Sequence, residues 1–508
     1  MYELSILRKY LIPRKRQLSM TLIALMSVGV IALVVWLVVL FLSVTEGIEK
    51  TWLGKLTSLH APLRLTPTPK YFSSYYYQAD MASSHSHYTP RSLADKIAGP
   101  SDPYDPETDE ALPTYCPTPE KNSDGSLRDP VKIAFQILSD LKNRHRSLAF
   151  QDFEMSGAML RLQLTRPSAG GGESHSFLTQ ASYLASFPDQ NPFLKQLTLP
   201  PTAQDVTHLH FLEYTQHKLV LPVLPTQERG VLLSKHFRDT GVRIGDKGWL
   251  SYPAATSGGL QEQRLPIFVS GFYDPGVLTI GNKCILAPAN IVHLINTSSQ
   301  IEHFDKTASM GFAVWIDEIQ KAPQLALELE KRLSAAGIGS YWKVTTYRDY
   351  DFSKDLLQQF QSDRYLFTLI GVIILLVACS NIISLLIILV NDKKQEIAIL
   401  QALGATRKSL ALIFGGLGAC VGLLSSLIGI GAAILTLKNL DALVHFLSFL
   451  QGQEMFNAVF YGSSLPHNLS LQALGFVLIA TPLLSLVAGL IPAWKACRIS
   501  PSATLRSS

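Results

Sequence analysis

Four long stretches of the chain contain no Asp, Glu, Lys or Arg, and they limit what it can fold into more than any other feature. They are residues 17–45, 365–391, 409–437 and 455–494. About 20 apolar residues span a bilayer core as a helix, and each stretch contains at least that many. Only 16% of the 508 residues are charged, against about 25% in a typical soluble domain. The sequence therefore predicts a membrane protein with four transmembrane α-helices.

The distribution of basic residues predicts how these helices are oriented. Five Lys or Arg precede residue 17, four lie within 392–408 and three follow Pro492, whereas 438–454 contains only Lys438. Lys and Arg flanking a membrane span prefer the cytoplasmic side. We therefore expect both termini in the cytoplasm. The net charge of +5 then reflects this topology, and nothing in it indicates binding to nucleic acid.

The spanning helices follow a 1 + 3 arrangement: one helix precedes a large extracytoplasmic domain, and three helices follow it. Short β-branched runs alternate with helical periodicity in that domain, which is typical of an α+β fold. Its part at about 67–129 is rich in Pro, Ser, Tyr and Asp, and this predicts an irregular insertion. The expected segments are a cytoplasmic start 1–16, helix one 17–45, the periplasmic domain 46–363, helix two 364–391, a cytoplasmic coupling segment 392–408, helix three 409–437, a periplasmic loop 438–470, helix four 471–492 and a cytoplasmic tail 493–508.

Several kinds of chemistry find no support in the sequence. It contains no G-x-x-x-x-G-K-[ST] phosphate-binding loop, no H-E-x-x-H and no G-x-S-x-G, so we expect no catalytic residue, no metal and no cofactor in this chain. Cys116 and Cys284, both in the external region, could form a disulfide, although spacing alone does not show it. Gly418 and Gly422 in helix three form a small-xxx-small pair, which favours close helix packing.

The cytoplasmic segment 392–408 predicts a short amphipathic helix. Ile397, Leu400 and Leu403 recur at helical spacing, and Gly404 is a typical stop. The apolar stripe of such a helix could lie on lipid headgroups or fit a groove on a cytoplasmic partner, and composition leaves both open.

This segment and both ends of the chain resemble a known family. The run Glu396–Leu403 followed by Gly404–Arg407 resembles the EIAILKALGA segment of FtsX/MacB-type ABC transporter permeases. The opening block 7–47 and the closing block 491–506 (IPAWKACRISPSATLR) are similar to the ends of the lipoprotein-releasing permeases LolC and LolE, and 241–246 with 267–272 resemble their external domain. The insertion at about 67–129 departs from the family pattern.

The resemblance implies a bacterial inner-membrane permease subunit that is not itself an enzyme. It would use ATP hydrolysis by a separate LolD-like ABC ATPase dimer, which holds the ATP and Mg²⁺, to release lipoproteins toward a LolA-like periplasmic carrier. A second LolC/LolE-like subunit, or a second copy of this chain, would complete the membrane part. The implied ATPase-coupling helix comprises Glu396, Ile397, Ile399, Leu400, Ala402, Leu403, Gly404 and Ala405. We also expect a lipid-facing cleft for the acyl chains, lined by Trp36, Leu40, Phe367 and Ile370.

Two alternatives remain at this point. The first is a mechanotransmission permease of the FtsX/MacB type, which would drive a periplasmic hydrolase or an efflux partner. The second is a membrane receptor with an external sensing domain, although the cytoplasmic segments are too short to hold a signalling domain.

Overall fold

The computed structural model describes residues 18–112, 114–122, 125–167, 173–202, 213–215, 218–275, 283–298, 306–392, 394–452 and 468–497. The predicted start 1–16, part of the loop 438–470 and most of the tail 493–508 lie outside these residues. The chain divides into a membrane unit, formed by residues up to Thr51 and from Leu356 onward, and a sheet domain, Trp52–Asp355. The first helix is α1, Leu18–Leu59.

The sheet domain contains a ten-stranded mixed sheet and a separate two-stranded ribbon. Its strands are β1 Leu63–Pro67, β2 Ala149–Pro167, β3 Glu173–Ser186, β4 Thr198–Leu199, β5 Glu213–Thr215, β6 Lys218–Val220, β7 Arg229–Ser234, β8 Lys247–Thr256, β9 Gly259–Tyr273, β10 Cys284–Ala287, β11 Met310–Trp315 and β12 Trp342–Thr346. Its helices are α2 Pro69–Phe72, α3 Tyr75–Ala82, α4 Leu93–Ala98, α5 Pro130–Arg144, α6 Leu194–Leu197, α7 Lys235–Asp239, α8 Ala289–Ser298 and α9 Ala322–Ala335. Helices and strands intermix, so the α+β prediction is confirmed.

Strand β2 belongs to both halves of the large sheet. Its first residues, 149–154, pair with β11, which continues through β1 to β12. Its remaining residues pair with β3, and 159–163 also pair with β8. The pairings β2-β3-β10-β7-β9-β8 return to β2, so this half of the sheet closes on itself as a six-stranded barrel. Fully buried residues such as Leu160, Phe268 and Ile285 belong to the barrel's hydrophobic core.

The insertion is more regular than its composition predicts. Residues 69–98 form α2, α3 and α4, whereas the described residues between Gly99 and Asp129 have no helix or strand apart from one bridge, Lys121–Leu127. An aromatic contact and a buried ion pair stabilise residues 69–98. The Tyr71 ring packs on Trp342 at 5.6 Å between centroids, and the fully buried Asp80 carboxylate pairs with Arg91 and Lys96. The expectation of an irregular insertion is therefore wrong for residues 69–98.

The two external cysteines do not form the disulfide that the sequence allows. Both Cys116 and Cys284 are free thiols. Cys284 is only 3% exposed at the first residue of β10, where its carbonyl accepts a hydrogen bond from the Tyr273 hydroxyl at 2.8 Å, and burial raises the pKa of its thiol to about 11. Cys116 lies in the half of the insertion that has no regular elements. The tertiary fold keeps Cys284 inside the domain, which sequence spacing cannot reveal.

The membrane unit contains the helices that the charge-free stretches predict. They are α1, α10 Asp351–Asp392, α11 Lys394–Ala402, α12 Arg407–Lys438, α13 Leu440–Gln451 and α14 Leu471–Cys497. Four of these, α1, α10, α12 and α14, are long and apolar enough to cross a membrane. Both α1 and α10 have 42 residues, and they extend beyond their apolar stretches.

Candidate functional site

Helix α11 lies between the second and third spanning helices. It is nine residues long, and Glu396 stands in its first turn, where a carboxylate interacts favourably with the helix dipole. All the residues predicted for coupling, from Glu396 to Ala405, fall on this helix or on the turn that ends it. The helix has two faces with different surroundings.

One face of α11 is buried against three membrane helices. Ile397 is 1% exposed and Ala398 is fully buried. Ile397 belongs to a cluster with Val390 of α10, Leu410 and Phe414 of α12, and Ala493 of α14. Interiors of this kind are close-packed and transmit displacement instead of absorbing it. A movement of α11 would therefore be transmitted to α10, α12 and α14.

The other face of α11 is exposed and partly apolar. Ile399 is 49% exposed and Leu403, one turn later, is 80% exposed, with Ala402 exposed beside them. Glu396 and Leu400 are half-buried at the edges of this face. A helix that presents i and i+4 apolar anchors matches the helix-in-groove mode of protein recognition. We call Ile399, Ala402 and Leu403 the apolar face of α11.

The end of α11 is fixed by a glycine. Gly404 has φ +96°, a left-handed conformation that side chains with a Cβ disfavour. The amide of Ala405 donates to the carbonyl of Leu400 and that of Gly404 donates to Gln401, both at 3.0 Å. This pair of bonds is the Schellman motif. Thr406 then caps α12 by accepting from the Ser409 amide at 3.2 Å, so only the four residues 403–406 separate the two helices.

Two of the four candidate lipid-cleft residues make contacts between spanning helices. The Trp36 indole donates a hydrogen bond to the Thr436 hydroxyl of α12 at 2.9 Å, so this side chain lies against the third spanning helix. Phe367 stacks on Phe41 of α1 at 5.8 Å between ring centroids. Leu40 is half-buried and Ile370 is 43% exposed. A role for these four residues in holding acyl chains stays a prediction.

The glycine pair of the third spanning helix lies at a close helix contact. A Cβ on Gly418 would meet the Ser485 carbonyl oxygen of α14, and one on Gly422 would meet the Ser485 side chain. The reciprocal residue is Gly489, which was not predicted and where a Cβ would lie 2.6 Å from the Phe414 carbonyl oxygen. Ser485 and Gly489 are four residues apart, and this small-xxx-small spacing in α14 could have revealed them.

One pair of ionisable groups in the sheet domain joins helix α8 to strand β2. The His293 Nδ1 atom of α8 lies 2.8 Å from a carboxylate oxygen of Glu154, which is 6% exposed on β2. Burial opposes a charge on the ring, but the hydrogen bond and negative charge of Glu154 outweigh it and raise the pKa of His293 above 6.5. Within the described part of the chain, no three His, Cys, Asp or Glu side chains come together as a metal site.

This pair predicts a pH-dependent stability. Because the folded pKa of His293 is raised, its stabilising effect is fully present below pH 6.5 and disappears as the pH rises through the folded value. We expect His293→Gln to lower the thermal unfolding temperature of the full chain in detergent at about pH 5.5 and to have less effect at about pH 8.5. His85→Gln, at an exposed histidine, is the control. Unfolding temperatures for His293→Gln that run parallel to wild type across this range would contradict the prediction.

Comparison with known proteins agrees with this architecture. Residues 368–501 match the FtsX-like permease C-terminal family. The chain is 29% identical over 286 residues to the lipoprotein-releasing system transmembrane protein LolC of Haemophilus influenzae, a match that covers 56% of this chain and 66% of the relative. It is 35% identical over 137 residues to LolE of the same organism, covering 27% and 33%, and 25% identical over 270 residues to LolC of Neisseria meningitidis, covering 52% and 62%. The chain thus spans between a third and two thirds of the length of these relatives.

Four helices able to span a membrane, with a sheet domain between the first two in sequence, describe a multi-pass membrane protein. Its C-terminal part is similar to FtsX-like permeases. Among proteins of that kind, the chain is similar to the lipoprotein-releasing permeases LolC and LolE.

Proposed function

We propose that this chain is the transmembrane subunit of an ABC transporter that releases lipoproteins from the inner membrane. The observation that supports it most directly is the two-sided environment of α11. Its buried face, through Ile397, contacts α10, α12 and α14, and its exposed face presents Ile399 and Leu403. A helix built in this way can bind a moving partner on one side and displace the membrane helices on the other.

The partner in this proposal is a LolD-like ATPase dimer that carries the ATP and Mg²⁺. Both chain termini lie in the cytoplasm with α11, as the basic flanks indicate. A second LolC/LolE-like subunit or a second copy of this chain completes the membrane part, and a LolA-like carrier receives the released lipoprotein. Each CH₂ of an acyl chain contributes about 0.8 kcal/mol to membrane anchoring. A multiply acylated protein therefore requires coupled energy to leave the bilayer.

The docking step is tested by Leu403→Asp. A carboxylate at this 80% exposed position leaves the fold of α11 intact but places a charge in an apolar groove. We expect the affinity for the ATPase dimer to fall by about 2 kcal/mol, roughly thirtyfold. Leu403→Met, which keeps an apolar side chain of similar size, should bind as wild type does. Affinity of the purified full chain for the ATPase measures this, and equal binding of all three proteins would contradict it.

The transport step is tested by reconstitution. The chain, its ATPase and a labelled lipoprotein are placed in one vesicle preparation, and a soluble carrier is added. ATP-dependent transfer of the label to the carrier supports the proposal. The FtsX-like match at 368–501 also suits a mechanotransmission permease. ATP hydrolysis without any transfer would favour that second function.

A further inference from the structure

A cavity of about 180 Å³ lies within the membrane unit, at the ends of the apolar stretches of three spanning helices. Glu46 directly follows the apolar stretch of α1, and Arg364 directly precedes that of α10. Ser470 stands just before α14. The cavity is therefore at the level of the bilayer surface, whichever side of the membrane faces it.

The cavity is lined by both charged and apolar side chains. Glu46, Glu49 and Arg364 provide charges of both signs, while Leu42 and Phe476 provide apolar surface. These apolar residues belong to the stretches that enter the membrane. A ligand that fits both parts is an amphiphile with a charged head, and the volume suits a headgroup better than a whole lipid.

The charged side chains retain unused hydrogen-bonding capacity. One Arg364 nitrogen donates to the Gln472 side chain, and the guanidinium also interacts electrostatically with Glu46. A guanidinium has five N–H donors, more than this one hydrogen bond uses. The Glu46 carboxylate pairs with Lys50 at 3.0 Å. A guanidinium binds phosphate through two parallel hydrogen bonds, and a carboxylate accepts from an ammonium group.

The cavity walls are held together by the chain itself. The Ser470 amide donates to the Ser43 hydroxyl at 3.3 Å, and the Asn468 amide donates to the Ser43 carbonyl at 3.2 Å. Ser43 and Ser470 are both buried, at 0% and 3% exposure. These bonds fix the start of α14 against α1, so the cavity exists before a ligand enters it.

We propose that this cavity binds the headgroup of a zwitterionic phospholipid of the phosphoethanolamine type. Arg364 holds the phosphate, Glu49 accepts hydrogen bonds from the primary ammonium, and an acyl chain runs along Leu42 and Phe476. A phosphoglycerol lipid lacks the ammonium, and a phosphocholine lipid has no N–H to donate. The inference depends on the membrane location alone and holds whether or not the chain transports lipoproteins.

Native mass spectrometry of the full chain in detergent tests the proposal. The chain is incubated with equal amounts of phosphoethanolamine, phosphocholine and phosphoglycerol lipids that carry the same acyl chains. We expect the phosphoethanolamine lipid to be retained about fivefold more than either competitor, the effect of one partly exposed ion pair. Equal retention of the three lipids by the wild-type chain would overturn the proposal without any variant.

Two variants test the contact with the phosphate and the contact with the ammonium group separately. Arg364→Gln should reduce retention of the phosphoethanolamine lipid about tenfold, because a charge-assisted contact to phosphate is lost. Glu49→Gln should remove the preference over phosphoglycerol while keeping phosphate-dependent binding. The controls are Lys438→Gln and Asp441→Asn, exposed charges of the membrane unit outside the cavity. Equal losses in variants and controls would contradict the assignment.

A competition experiment identifies the source of the ligand. A synthetic lipopeptide with a diacylglyceryl-cysteine has acyl chains but no phosphate. Retention of the phosphoethanolamine lipid in its presence supports a membrane-lipid site. Displacement at equal concentration would show that the cavity accepts lipoprotein anchors, and it would overturn the proposal.

Discussion

Asp80→Asn is expected to destabilise the sheet domain by about 3–5 kcal/mol, the effect of removing one member of a buried ion pair. The Asp80 carboxylate is fully buried and lies 2.6 Å from the Lys96 ammonium and 2.8 Å from the Arg91 guanidinium. The Lys96 side chain is only 5% exposed, and burial already lowers its pKa. Without the carboxylate, the buried ammonium loses its ion-pair partner and keeps only the smaller electrostatic effect of Asp129. The free energy of unfolding of the full chain in detergent measures the effect.

A second substitution distinguishes the ion pair from side-chain size. Lys96→Met in the Asp80→Asn background removes the unpaired cation, and replacing both partners of a buried pair is often nearly neutral. We expect the double variant to recover most of the lost stability. Glu107→Ala, at an exposed acid of the same insertion, should change stability by less than about 0.5 kcal/mol. If the double variant is no more stable than Asp80→Asn, the ion-pair explanation fails.

Gly418→Ala is expected to destabilise the membrane unit by about 3 kcal/mol, at the upper end of the range for overpacking. The added methyl group would meet a backbone oxygen, that of Ser485, and backbone cannot move aside as a flexible side chain does. Helices α12 and α14 would have to separate, and α12 also contributes Leu410 and Phe414 to the cluster that holds α11. The unfolding free energy in mixed micelles reports the loss.

Gly431 of the same helix provides a matched control. A Cβ there has no atom within 4 Å, and its φ is not positive. Because alanine is a better helix former than glycine, Gly431→Ala should be neutral or stabilising by up to about 1 kcal/mol. The two variants therefore differ in sign. A similar loss in both would mean that helix propensity, and not the contact with α14, explains the effect.

The spanning helices could be predicted from sequence, because a charge-free stretch of sufficient length has few other stable states. Their full extent could not. Helix α1 continues to Leu59 and α10 starts at Asp351, both well outside the apolar stretches. The charged residues beyond those stretches are compatible with a helix in water. Composition therefore marks where the helix leaves the bilayer and not where it ends.

The insertion shows where local composition misleads. Pro, Ser and Asp usually indicate turns, yet Ser92 caps α4 by accepting from the Asp95 amide at 3.1 Å, and Tyr71 is fully buried. The residues that pair with Asp80 are 11 and 16 positions away. Contacts at such separations leave no periodic signal. The same reason explains why the closed barrel and the separation of Cys116 from Cys284 were not predicted.

The candidate site was predicted in part. Helical spacing placed Ile397, Leu400 and Leu403 on one stripe, but the structure puts Ile397 against the membrane helices and Leu403 on the opposite, exposed side. The spacing of apolar residues along a helix is the same whether their side chains pack against their own chain or against a partner. Only the packing of α11 on Leu410, Phe414 and Ala493 distinguishes the two.

The continuity of β2 has a mechanical consequence for the sheet domain. Its 19 residues correspond to a length of about 63 Å in one uninterrupted strand. One end is bonded to β11 and the other to β3 and β8, so the backbone of β2 joins the two halves of the sheet directly. A force applied to one half of the sheet would thus reach the other half along this strand, without passing through a loop.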